Sequence, residues 1–222
     1  MQVGEKGSAI VPLAPTTQSK IYWVVSVPKM LYDMNVFPIS DRCIDLFEKA
    51  HRHHALVIQN LPKSTPKHTP LATLGWISLG SYIAYKKIMF MLRILCLPAD
   101  SLNRQIMILC INSLIHEKVS ERLLSSAGSM YKCVKSYKLE YILHECINKG
   151  SYENFTELKK KVKRTIMHNE TQRWRASCLM YKDICVYSDS VDKIQTHVWW
   201  AYVRHNITMN SNSNSNSKII DL

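Results

Sequence analysis

The sequence predicts an all-α protein, an irregular multi-helix bundle followed by a disordered C-terminal tail. Three observations carry this expectation. Apolar residues recur at three- and four-residue steps through most of the chain. Only six glycines occur in 222 residues, few for a turn-rich β-sandwich or barrel. Prolines and Ser, Thr or Asp caps punctuate the periodic stretches. Residues 1–9 are expected to form a flexible N-terminus, 10–204 the helical domain, and 205–222 the tail, which carries an Asn-Ser repeat of low complexity.

The bundle should be organised around residues 61–98. This stretch opens on a proline-rich turn, passes a Leu74-Gly75-Trp76 corner and ends in the most apolar helix of the chain. Before it, Thr16 or Thr17 could cap a helix carrying Tyr22, Trp23, Val25 and Val27. The Val24-Val25 pair argues for a strand, but helix is preferred, broken at Pro28 and resumed to Tyr32. Ser40 and Asp41 supply cap oxygens for the next helix. Its apolar stripe reads Ile44, Phe47, Ala50, His54, Val57, Ile58 and Leu61. Thr69 as cap and Pro70 as first residue restart a short helix, which Gly75 closes and whose corner Trp76 plugs.

Ser78 or Ser81 starts the central helix. Ala84, Ile88, Met91, Leu92 and Leu95 face the core, and Lys86, Lys87 and Arg93 mark its solvent side. Asp100 or Ser101 caps the following helix, with Leu102, Ile106, Leu109, Cys110 and Ser113 on one face. A loop holds Ser125, Ser126 and Gly128, and helices are expected near 130–136 and 139–149, the latter ended by Gly150. Asn154 with Glu157 makes a capping-box-like start for a helix that turns Leu158, Val162, Ile166 and Met167 inward. A final segment, 173–203, ends in Trp199-Trp200.

The net charge is +12 and the isoelectric point near 9.4. Such an excess concentrates polyanions at the surface, so RNA or DNA is an expected partner. Half of the excess lies in residues 159–175. Lys159, Lys160, Lys161, Lys163, Arg164, Arg173 and Arg175 stand there against Glu170 alone, a net of +6. Lys160, Lys163 and Arg164 share a helix face and could follow a phosphate backbone. Trp174, between two arginines, could stack on an unpaired base. The competing reading is a solvated basic helix with Trp174 in the core.

The seven cysteines are scattered, mostly among apolar residues, and read as buried reduced thiols of an intracellular protein, cytoplasmic or nuclear. Residues 1–17 show no signal-peptide core, and the apolar run 88–97 is too short to span a bilayer. His51, His53 and His54 lack the spacing of a zinc site and read as a solvated helix edge. Cys178 and Cys185 read as two faces of a core helix. No adjacent aspartates, phosphate-cradling Gly-rich loop or Gly-x-Ser-x-Gly elbow occurs, so neither a metal site, a cofactor nor a catalytic centre is expected.

Several segments resemble the non-LTR (LINE-like) retrotransposon reverse transcriptases of invertebrates, in the thumb-like and connector region after the polymerase palm. The markers are Ser19-Lys20-x-Tyr22, Pro28-Lys29-x-Leu31-Tyr32, Ile58-Gln59-x-Leu61-Pro62 and Leu74-Gly75-Trp76, within a likeness spanning about 12–204. The resemblance implies contact with a template–primer type duplex. The family's catalytic Asp-Asp motif is absent here, which implies a truncated, non-catalytic piece. Asp33 stands where the family usually has glycine. An alternative is a helical scaffold whose apolar helices, 81–97 and 102–115, pack on a partner domain or on another copy.

Overall fold

The computed structural model describes residues 13–116, 126–149 and 155–179. Among these residues the protein is all-α, without a strand. The expectations for the N-terminus, the tail, Asn154, Gly150 and the segment beyond 179 lie outside the described residues.

The first helical rod is α1 (Pro15–Ile21), a π-helical turn (Tyr22–Ser26) and α2 (Val27–Met30). Neither Thr16 nor Thr17 caps it. Ala14 is the N-cap, with Pro15 in the first turn, where its missing N–H is no loss. Pro28 does not break the rod either. The Val27 N–H bonds the carbonyl of Tyr22, five residues back, and this wider turn immediately precedes the proline. The same turn carries Tyr22 and Val27 inward. After Leu31, Asp33 takes a left-handed φ of 59°, a conformation that glycine adopts without strain.

Helix α3 (Asp41–Ile58) starts at Ser40, whose Oγ accepts the Cys43 N–H at 3.3 Å. Its buried face differs from the expected stripe. Ala50, His54 and Val57 lie exposed, and His51 and Ala55 point inward beside Ile58, which is buried as expected. His51 is thus not a solvated edge but 0% exposed. Its Nε2 lies 3.1 Å from the Ile77 carbonyl, which can only accept, so Nε2 carries the proton. Nδ1 therefore accepts from the Tyr22 hydroxyl at 2.9 Å. With both nitrogens hydrogen-bonded, the ring belongs to the core and has no lone pair left for a metal.

Helix α4 (Thr69–Thr73) begins one residue earlier than expected, with His68 rather than Thr69 as N-cap. Gly75 then takes φ 69°, which lets the chain reverse and seat Trp76 in the corner, 3% exposed. Gln59 ties the end of α3 to α4. Its Nε2 donates to the carbonyls of Ala55 and Pro70, at 2.9 and 2.7 Å, and its Oε1 accepts from Thr73 Oγ1.

Helix α5 (Leu79–Leu95) runs through both cores of the protein. Its first turns, through Leu79 and Ile83, join Tyr22, Val27, Ile58, Leu71, Leu74 and Trp76. Its later turns, from Ala84 to Leu95, join α6 (Leu102–His116), α7 (Ser126–Ser136), α8 (Glu140–Lys149) and α9 (Phe155–Leu179). Surrounded in this way, α5 keeps even Lys87 inside, contrary to the expected solvent side. Lys87 Nζ donates to Ser129 Oγ at 2.5 Å, and burial lowers its pKa.

Ser126 and Gly128 are not loop residues but the first turn of α7. In α6 the expected core face is the outer one. Leu102 and Leu109 are 67% and 66% exposed and Ile106 and Ser113 are also exposed, while Met107 and Ile111 are buried. Residues 106–111 of this helix are apolar without a break, so periodicity left two faces open. Arg104 is drawn inside, where it donates to the Ile147 carbonyl in the last turn of α8 at 3.3 Å. The cysteines also divide. Cys43 is exposed, Cys96, Cys110 and Cys133 are half-buried, and Cys146 is buried, all as free thiols. No helix among the described residues is long and apolar enough to cross a membrane.

Burial pushes the His51 pKa down to about 4, against 6.5 for an ordinary imidazole. The unfolded chain therefore binds a proton on this ring before the native state does. The stability held by the neutral ring is complete above pH 6.5 and is lost as pH falls from 6.5 to about 4, by roughly 3 kcal/mol. A histidine-ring NMR titration should show one imidazole protonating near pH 4. A ring assigned to His51 that titrates near 6.5 would refute the buried hydrogen-bonded geometry.

Candidate nucleic-acid interface

Helix α9 is positioned by an inward ridge of Leu158, Val162, Ile166, Glu170 and Trp174, each four residues from the last. A helix with such a ridge must present the intervening positions elsewhere. Lys159, Lys160, Lys161, Lys163 and Arg164 are all exposed around its first half. The nearest acid in that half is Glu157, whose Oε1 lies 2.7 Å from Lys160 Nζ. The hydrogen bond from Lys160 holds the Glu157 carboxyl below its usual range. Both side chains of this pair are more than half exposed, so it holds Lys160 only loosely. Lys161 Nζ sits 4.7 Å from the ring centroid of Tyr141 on α8.

The rest of the basic run has a different fate. Trp174 is 2% exposed and lies in the interior, so it offers no face to a base. Arg175 is half-buried. Arg173 lies nine residues past Arg164, about 14 Å further along the helix axis. There its guanidinium bonds Glu170 Oε1 at 3.1 Å and sits 5.8 Å from the Tyr137 ring centroid. The structure thus brings together Lys159 to Arg164 and separates them from Arg173, Trp174 and Arg175.

Arg173 borders a cavity of about 170 Å³ at the start of α5, with Arg52, Lys67, His68, Glu48 and Glu170 in its wall. Glu170 accepts from the Ser78 N–H at 3.1 Å and from Ser81 Oγ at 2.7 Å, and Ser81 Oγ also meets the Tyr137 hydroxyl at 2.7 Å. Glu48 Oε1 accepts from the Gly80 N–H at 2.7 Å. Burial raises the Glu48 pKa, and the neighbouring Glu170 charge adds to the rise. The two carboxylates are therefore held by the amino end of a helix, where its dipole favours negative charge. Among the described residues no three His, Cys, Asp or Glu side chains converge to hold a metal ion.

Tyr141 and the cavity wall were not singled out from the sequence. For Tyr141 a signal existed. Ile142, Leu143 and Cys146 form the buried side of α8, which leaves Tyr141 on the other side. Arg52, Lys67 and Glu170 come from three distant parts of the chain, and spacing carries no sign of their meeting. Comparison with models of known protein families, with curated proteins and with solved structures finds no match to this chain.

The buried carboxylate of Glu170 joins α5, α9 and the Tyr137 turn. Glu170→Ala leaves the Ser78 N–H and the Ser81 hydroxyl without their acceptor and should destabilise the protein by about 3 kcal/mol in urea unfolding. Glu170→Gln keeps an acceptor oxygen and should lose no more than about half of that. Equal losses would show that the charge itself, rather than the accepted hydrogen bonds, is what matters.

Proposed function

We propose that this is an intracellular, non-catalytic helical module that grips the backbone of RNA or DNA without reading its sequence. The grip is the exposed arc of Lys159, Lys160, Lys163 and Arg164 on α9. One observation carries the reading: these cations surround one half of a helix fixed from behind, with Glu157 as the nearby counter-charge. Their placement suits phosphates, whose contacts release counterions and do not depend on base identity.

Origin as a piece of a non-LTR reverse transcriptase is part of the same proposal, and a template–primer type duplex is the ligand that follows from it. The markers of that resemblance meet in one place. Ser19 Oγ accepts from Trp76 Nε1 at 2.7 Å, Tyr22 stacks on Trp76 at 4.7 Å between centroids, and Ile58, Leu31 and Leu74 share their core. Such convergence is consistent with the four motifs being one structural unit.

The binding of an RNA–DNA hybrid should fall steeply with added salt. Replacing Lys160, Lys163 and Arg164 by Gln should flatten the slope of log affinity against log salt by about 0.9 for each contact removed. Fluorescence anisotropy across a salt series measures this. No binding by the wild type at low salt, or an unchanged slope in the triple variant, sinks the reading.

A second reading is favoured by the outward row of Leu102, Ile106 and Leu109 on α6, one helix face of large apolar side chains. In this reading the protein is an interaction scaffold that packs on a partner domain or on another copy. Size-exclusion chromatography should then show association, reversed by Ile106→Lys. A concentration-independent monomer removes self-association from this reading.

A further inference from the structure

We infer that Tyr141 is a stacking platform for an unpaired base, which makes single-stranded RNA or DNA a ligand of the α9 surface. The inference rests on the reading of α9 as a phosphate grip and adds to it the aromatic that Trp174 cannot supply.

The geometry is specific. Tyr141 is 49% exposed, although α8 buries Ile142, Leu143 and Cys146 on its other side. It belongs to neither core cluster. What holds the ring is Lys161 of α9, with its ammonium 4.7 Å from the centroid. Lys161 lies among the exposed cations, next to Lys160 and two residues before Lys163 in sequence. The ring is thereby fixed at the border of the basic arc. The exposed Lys138 lies three residues before it, and the exposed His144 one turn after it on the same helix face.

An aromatic placed in this way suits one kind of nucleic acid. In a duplex both faces of every internal base are covered by its neighbours. A tyrosine on the convex surface of a helix cannot enter that stack. A single strand offers open base faces, and an aromatic side chain beside a positive track is the arrangement that binds it without sequence preference. The base takes the open surface of the ring. Lys161, already at the ring, is within reach of that nucleotide's phosphate, and Arg164 follows three residues on, about 4.5 Å further along the helix axis.

The test compares a fluorescent single-stranded oligoadenylate with a matched RNA–DNA duplex, at low salt. Tyr141→Ala should weaken single-strand binding about tenfold and leave duplex binding within twofold. Tyr141→Phe should keep the wild-type preference, since the ring rather than the hydroxyl does the stacking. An abasic oligonucleotide should bind wild type and Tyr141→Ala alike. Equal losses on both ligands, or no loss on the single strand, overturn the inference while the salt-dependent duplex grip stands. Failure of the wild type to bind either ligand overturns both. Because Tyr141 lies outside the core, unchanged circular dichroism in each variant is expected and separates these outcomes from misfolding.

Discussion

The amino end of α5 is packed into the smaller core, and its free N–H groups need partners there. A helix leaves its first four N–H groups without intrahelical partners, and leaving one buried and unpaired costs about 1–3 kcal/mol. Here the partners come from far along the chain. Glu48 arrives from α3 for Gly80, Glu170 arrives from α9 for Ser78, and Ser78 Oγ accepts from the Ser81 N–H at 3.2 Å. Helix α3 also comes close: a Cβ at Gly80 would sit 3.4 Å from Glu48 Oε1 and from Ile44 Cγ2. One helix terminus thus fixes the mutual placement of α3, α5 and α9.

This constraint orients the basic helix as well. Glu170 must reach Ser78 and Ser81, and Leu158, Val162 and Ile166 must reach the larger core. These demands set the rotation of α9 along its whole length. Lys159, Lys160, Lys163 and Arg164 are outward because the acid and the apolar ridge are inward. The same demand engages Arg173, still more than half exposed, as the partner of the Glu170 carboxylate. A charge run that looks uniform in sequence is therefore two features in space, an open arc and a partner for a helix cap.

How much of this was readable in the sequence differs by element, for physical reasons. The central helix, the corner at Gly75-Trp76, the Ser40 cap and the inward ridge of α9 follow from caps, a positive φ and clean periodicity. The faces of α3 and α6 do not. In α3 a histidine occupies a fully buried position, and only the arrival of Tyr22 and Ile77 makes that tolerable. In α6 apolar residues ring the helix, and the choice of face falls to Arg104 and its carbonyl on α8. Lys87 is hidden for a similar reason, since Ser129 meets it from α7. Each of these depends on a polar partner from another segment, which local spacing does not encode. Of the candidate site, the cations from Lys159 to Arg164 were legible as a run. The burial of Trp174 was legible only as one of two readings, because an aromatic between arginines fits a core or a binding position, and its place four residues past Glu170 on the inward ridge decides it.

The four short motifs that single out the first third of the chain have a structural account that needs no ligand. Tyr22, His51 and Trp76 stack at centroid separations of 4.7 to 5.5 Å, with Trp23 edge-on to His51 and Trp76. Ser19 receives the indole N–H, Gln59 closes the turn into α4, and Leu74 and Ile58 fill the space between. Every polar atom named here has its partner within the cluster or just beside it, so replacing one member leaves another unsatisfied. Interdependence of this kind preserves a set of spaced residues as a unit. These motifs therefore have a structural role of their own, and a ligand must be argued from the exposed arc of α9.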